Sequence, residues 1–377
     1  MRNIKEEWID TSEALAGLVA HIANATASGA ATECFLDTEA DSLHHYSEKL
    51  CLMQLAVAGR IALIDTLALP DIRGLLAVLD GLTVWLHGAD YDLTLFQKTY
   101  KWAPRKLRDT QIAARLLGYR ELGLSALAEK HTGLILSKAS QKADWSLRPL
   151  PEKMLSYAAD DVRYLPEISS TLSKMLADSK RTVWFVQSCE ALVVEVLARV
   201  ERVKEDPWRI NGSGKLQPKG FAFLREAWQW RESIAAERDV PPFRVINNQD
   251  LIGISTHLQE VDRIQLPERW RPAWKHALLD AAARVREADT ATWPVRPKTL
   301  HRRMSEDDKA RIDRLCQKRD AKANMLGIES SALGSRALME ELILDADGAF
   351  AAKLMPWQRE ALHDALNDDL APPELNL

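Results

Sequence analysis

Four carboxylates and a phenol carry the most informative spacing in this chain: Asp37-Thr38-Glu39, then Asp92, then Tyr157 with Asp161 four residues later. Brought to one point, four such anions repel, each pair by roughly 4 kcal/mol at ~4 Å and an effective dielectric of ~20. Two divalent cations would neutralise them. Hard oxygen ligands without cysteine or histidine favour Mg²⁺ or Mn²⁺ over zinc. Two such ions roughly 3.5–4 Å apart can hold the attacking and leaving oxygens of an in-line displacement at phosphorus. The pattern therefore predicts a two-metal site for cutting phosphodiesters. A phenol with a reference pKa of about 10 is a poor proton acceptor near neutrality, so Tyr157 is assigned to orienting the attacking water.

Separate elements must position these groups. Glu33-Cys34-Phe35-Leu36-Asp37-Thr38-Glu39 reads as a buried strand reaching its polar end, and strand alternation puts Asp37 and Glu39 on one face. Asp92 follows the apolar run Leu82-Thr83-Val84-Trp85-Leu86 and opens a helix through Leu93, Leu95 and Phe96. Pro151 suits the first turn of a helix that carries Tyr157 and Asp161 on one face.

Two neighbouring acids compete for these roles. On a helix Asp160 points about 100° away from Asp161, and only Asp161 stacks beneath Tyr157. Residue type alone leaves Asp90 and Asp92 as alternatives. Asp109, before an apolar helical stretch, reads as an N-cap. His87 ends a strand and reads as a hydrogen-bonded structural residue, while His44 and His45 read as loop residues. Gln141, Trp145 and Arg148 lie in a loop whose amide, aromatic and cation could hold a nucleic acid by stacking and phosphate contact. The competing reading makes Trp145 core and pairs Arg148 with an acid.

Asp37-Thr38-Glu39, His87-Gly88-Ala89-Asp90-Tyr91-Asp92-Leu93 and Tyr157-Ala158-Ala159-Asp160-Asp161-Val162 resemble the three exonuclease motifs of the DEDDy group, specifically the ribonuclease D family. Lys138 to Leu150, with its Lys-x-x-Gln, Asp-Trp and Arg-Pro-Leu run, and Asp109-Thr110-Gln111 strengthen the likeness, which covers roughly residues 30–175. The resemblance favours Asp92 over Asp90 through the spacing from His87. It makes Asp37, Glu39, Asp92 and Asp161 the metal-binding acids and Tyr157 the water-positioning group. It also implies a ribonuclease H-like α/β fold, a mixed sheet flanked by helices, and removal of 5′-mononucleotides from RNA 3′ ends, single-stranded or in a tRNA precursor. One departure stands out: the family often has an aromatic residue directly after the glutamate, where this chain has Ala40.

At 377 residues the chain exceeds an ordinary single domain. The exonuclease reading spans 1–205 and ends in a helical stretch from about 166 to 205. Asp206 to Gly214 then reads as a linker. All-α modules follow. Phe221 to Ala236 and the segments around Pro241 and Ile252 resemble the helicase-and-ribonuclease-D C-terminal (HRDC) domain, over 214–290. After the break at Trp293-Pro294-Val295-Arg296-Pro297, helices near 306–323 and 332–343 fit a degenerate second copy over 298–377. Residues 296 to 322 hold ten Lys/Arg against five Asp/Glu, enough for a basic face toward phosphates.

The net charge of −4 lacks the basic signature of many nucleic-acid binders, so any attraction to RNA must be local. Cys34, Cys51, Cys189 and Cys316 are too scattered for a disulfide framework or a zinc site. No stretch approaches ~18 consecutive apolar residues, so no membrane span is expected and the protein is assigned to the cytoplasm. Two alternatives keep the same residues: a DNA 3′–5′ exonuclease, and a non-catalytic RNA-binding scaffold. No motif acid is missing, which argues against the scaffold. Oligomeric state is not legible.

Overall fold

The computed structural model describes residues 6–137, 139–200, 205–261, 264–268, 270–296, 304–345 and 350–370. By packing, the chain divides into two units: 1–39, 50–201 and 302–377 form the first, and 40–49 with 202–301 form the second.

The first unit is built on a mixed six-stranded sheet. Its strands are β1 (Glu6–Ile9), β2 (Glu33–Ala40), β3 (Leu50–Val57), β4 (Arg60–Asp65), β5 (Thr83–Leu86) and β6 (Leu107–Asp109), in the spatial order β1-β4-β3-β2-β5-β6. β3 and β4 pair antiparallel, whereas β1 with β4, β2 with β5 and β5 with β6 run parallel. Every residue of β3 is buried, which requires cover on both faces and explains why Leu50–Val57 is almost wholly apolar. Between strands lie α1 (Ser12–Ala27), α2 (Arg73–Leu79) and α3 (Asp90–Tyr100). After β6 come α4 (Thr110–Leu116), α5 (Leu124–Thr132), α6 (Glu152–Arg163), α7 (Leu165–Asp178) and α8 (Thr182–Val200). The helical stretch expected from about 166 to 205 is made of two helices, broken around Lys180, whose φ of 57° lies in the left-handed region.

The second unit is all-helical: α9 (Pro218–Glu237), α10 (Pro242–Val245), α11 (Asn248–Glu260) and α12 (Pro272–Glu287). Trp208, Phe221, Leu224, Trp230 and Leu251 share its core. The stretch expected as a linker therefore contributes a core residue, since Trp208 is 6% exposed. Residues 40–49 join this unit through Asp239, which accepts from the Tyr46 N–H at 3.1 Å and pairs with His45 at 2.7 Å.

The remaining helices are α13 (Glu306–Leu326), α14 (Ser330–Leu333), α15 (Arg336–Leu344) and α16 (Pro356–Leu370). Read from sequence as a module of their own, they pack within the first unit. Trp357 stacks on Trp184 of α8 with centroids 4.9 Å apart, and its backbone N–H donates to Gln187 Oε1 at 3.0 Å. The basic stretch falls partly on 297–303, outside the described residues. Of its described cations, Lys309 pairs with Glu306 and Arg319 with Asp320.

Candidate active site

β2 supplies the first two acids. Its register with β5 (Cys34 opposite Val84, Phe35 opposite Trp85) buries the apolar start of the strand, so Asp37 and Glu39 emerge side by side toward its end. Asp92 comes from the first turn of α3, two residues inside the helix start at Asp90. α6, entered through Pro151 at its N-cap, presents Tyr157 and Asp161 one turn apart.

These groups meet. Asp37, Glu39, Asp92, Tyr157 and Asp161 line one cavity of about 590 Å³. Asp37, Glu39 and Asp161 each place a carboxylate oxygen within 4.8 Å of the others, and Asp92, 5% exposed, accepts a hydrogen bond from the Thr38 hydroxyl beside them. The rejected neighbours are engaged elsewhere: Asp90 pairs with Arg199 at 2.9 Å, and Asp160 with Arg163 at 3.1 Å. Among the described residues, none of the four pocket acids has a Lys or Arg partner.

Burial and mutual repulsion therefore act unopposed by any side-chain cation. Burial, then the charges of Asp161, Asp92 and Glu39, hold the Asp37 carboxyl well above its ordinary range. Burial and the charges of Asp161 and Asp92 push Glu39 up to about 9. Asp92 rises to about 7 through burial despite its bond from Thr38, and Asp161 rises to about 7 through burial despite its bond from Tyr157. Burial and the surrounding acids push the Tyr157 phenol upward as well, so it stays protonated. A bare oxygen-rich cluster that resists ionisation is the donor set expected of a site for hard divalent cations.

Asp109 ties two parts of the pocket together. It caps α4 as expected, accepting from the N–H groups of Gln111 at 2.7 Å and Ile112 at 3.4 Å. It also accepts from Gly88 at 3.0 Å and Ala89 at 2.9 Å, in the turn that launches α3. His87 hydrogen-bonds Thr110 through Nδ1 at 2.9 Å, the structural part expected of it.

The loop before α6 divides. Gln141 lines the acid pocket. Trp145 is 1% exposed, and Arg148 forms a two-pronged pair with Asp65 at 2.6 and 2.7 Å. The expectation that Trp145 and Arg148 touch RNA is therefore corrected: one is core and the other is engaged inside the fold. Sequence reasoning missed Thr38, Gln111 and Tyr91 as lining groups; Thr38 was signalled only by its place between two selected acids.

Residues 6–177 match the 3′-5′ exonuclease family, and residues 221–262 match the HRDC domain. A protein named ribonuclease D from Xanthomonas oryzae pv. oryzae is 30% identical over 87% of this chain and 90% of its own length. One of the same name from Haemophilus influenzae is 30% identical over 82% of this chain and 78% of that relative. The crystal structure of Escherichia coli RNase D, described as an exoribonuclease involved in structured RNA processing, superposes with a TM-score of 0.73 at 26% identity, covering 97% of this chain and 99% of that one. With its acid motifs converging in one pocket on this sheet, the chain belongs to the ribonuclease D family.

Proposed function

We propose that this 3′–5′ exoribonuclease removes 5′-mononucleotides from RNA 3′ ends by two-metal hydrolysis, with Asp37, Glu39, Asp92 and Asp161 as the metal ligands. The observation that carries this reading is the meeting of three carboxylates within 4.8 Å, beside Asp92 and, among the described residues, with no Lys or Arg paired to any of them. Two bound cations, Mg²⁺ or Mn²⁺, would supply the charge neutralisation and Lewis acidity that attack on a phosphodiester requires.

The chain's own residues do the rest. Tyr157 is a poor base, because a phenol with a reference pKa of about 10 stays protonated near neutral pH and burial raises it further. Its hydroxyl is bonded to Asp161 and can fix the attacking water through an oxygen lone pair. Thr38 holds Asp92 from the strand side. As the water oxygen bonds to phosphorus and gives up a proton to solvent, the bond to the 3′-oxygen of the preceding nucleotide breaks; that oxygen takes a proton from solvent in return and becomes the new 3′ end. Gln141, which lines the same pocket, contacts the substrate in this reading.

We divide the chain into an exonuclease portion over 1–205, an HRDC-like module over 214–290 that holds RNA, and a degenerate helical portion over 298–377. Structured RNAs are the substrates, by extension from the E. coli relative, with tRNA precursors among them as the family resemblance implies. All four cysteines are buried and outside any disulfide, as suits action in the cytoplasm, and no described helix is long and apolar enough to cross a membrane.

The test is degradation of 3′-labelled single-stranded RNA and DNA with Mg²⁺ or Mn²⁺, then with chelator. Mononucleotides from RNA, abolished by chelation, are expected. Internal fragments or a DNA-only result would overturn the reading, and inactivity on both polymers would favour a binding scaffold.

A further inference from the structure

Arg148 is not spent on substrate. Its Nε and Nη2 donate to Asp65 Oδ2 and Oδ1 at 2.6 and 2.7 Å, and Nη2 also reaches the Cys51 carbonyl at 2.8 Å. Nη1 donates to the carbonyls of Trp145 at 2.8 Å and Leu147 at 2.7 Å. One guanidinium thus binds the end of β4, a carbonyl of β3 and the turn that precedes α6. Asp65 is itself fixed, accepting from the N–H groups of Leu67 at 3.0 Å and Ala68 at 3.2 Å. Burial would raise the Asp65 carboxyl, but the bonds from Arg148 and these two N–H groups leave it below its ordinary range.

The turn held in this way carries Trp145. Its ring lies 6.0 Å from that of Tyr157, tilted by 41°, and at 1% exposure it has no room to swing aside. A phenol that must present its hydroxyl to a water needs such a backstop, because its ring would otherwise turn about two side-chain bonds. Misplacement by about 1 Å can lower a rate roughly 100-fold.

We propose that the Asp65–Arg148 pair is a positioning clamp for Tyr157, acting through the Trp145 turn to hold the phenol in the acid pocket. This rests on the catalytic role assigned to Tyr157 above. Arginine is required because the planar fork serves two carboxylate oxygens and backbone carbonyls together, which a lysine ammonium cannot do.

The experiment is a double-mutant cycle on the full chain with labelled single-stranded RNA. Arg148→Lys and Asp65→Asn are each expected to lower kcat roughly 10–100-fold, with KM and Mn²⁺ affinity held within about twofold. In a Tyr157→Phe background the same substitutions should cost nothing further, because the group they position is gone. Thermal melting checks folding, and Trp145→Phe carries the same cycle if Arg148→Lys does not fold. Losses that multiply with Tyr157→Phe would overturn the clamp. So would a raised KM with kcat kept, which marks a phosphate contact, or a fall in Mn²⁺ affinity, which marks general support of α6. A Tyr157→Phe enzyme as fast as the parent would instead overturn the role of the tyrosine, and the clamp with it.

Discussion

Asp65 and Asp37 belong to neighbouring parts of one sheet and meet opposite fates. Asp65, at the end of β4, is matched by a guanidinium and two backbone N–H groups, and its carboxyl is held low. Asp37, near the end of β2, faces three more acids, and its carboxyl is driven high. This fold can neutralise a buried acid with its own residues, and does so where the acid has a structural task. At the pocket it withholds that partner, leaving charge for something outside the chain to balance. The unpaired state is therefore the functional signal, more than the presence of acids.

The largest expected effect comes from breaking the unpaired side. Asp37→Asn should lower nucleotide release by at least about 1,000-fold, while the melting temperature of the metal-free protein holds or rises because a carboxyl whose ionisation burial and its neighbours oppose is gone. A metal-free variant less stable than the parent would show that Asp37 is a structural acid like Asp65. Tyr157→Phe comes next. A rate loss of roughly 100-fold with Mn²⁺ affinity retained is expected from single-turnover assays and metal titration.

The two kinds of acid also give opposite pH slopes. Asp92 and Asp161 titrate near 7 and Glu39 near 9 in the fold, all above the unfolded value. Their contribution is full below about pH 4 and is lost as pH rises through those values, since the unfolded chain releases its protons first. Asp65, held low, contributes above the unfolded pKa and loses that contribution as pH falls. Melting of chelated protein should therefore show stability declining from about pH 4 toward 9. Mg²⁺ or Mn²⁺ should reverse the decline, by about 2.7 kcal/mol per bound ion at a free concentration 100 times Kd. A metal-free protein with a flat profile over that window would refute the coupling. The smallest effect belongs to the exposed Asp71–Arg73 pair at 2.6 Å, where Arg73→Ala should leave melting unchanged because water screens it.

The pocket was legible because strand alternation and the helical repeat are local rules. They put Asp37 beside Glu39 and Asp161 under Tyr157 without knowledge of the whole fold, whereas the choice of Asp92 over Asp90 came from the family resemblance. Arg148 was not, because a phosphate and a buried carboxylate make equal demands on a guanidinium, and only the tertiary position of Asp65 decides between them. Trp208 was misread for a related reason. Asp-Pro before it and Gly-Ser-Gly after it are turn chemistry, but the indole between them is claimed by the helical core. The break near Lys180 has no Pro or Gly to announce it.

Gly118, at φ +79°, passes so near the end of α13 that a β-carbon there would sit 2.0 Å from the Gly327 carbonyl oxygen. Around this seam the Arg181 guanidinium donates to the carbonyls of Leu116 and Leu326, and Trp357 covers Trp184. A chain cut before α13 would strip that flank, leaving an indole face and a guanidinium without their covers. Such a truncation would turn the catalytic half adhesive, so clumping would be its first symptom, ahead of any change in how it handles nucleic acid.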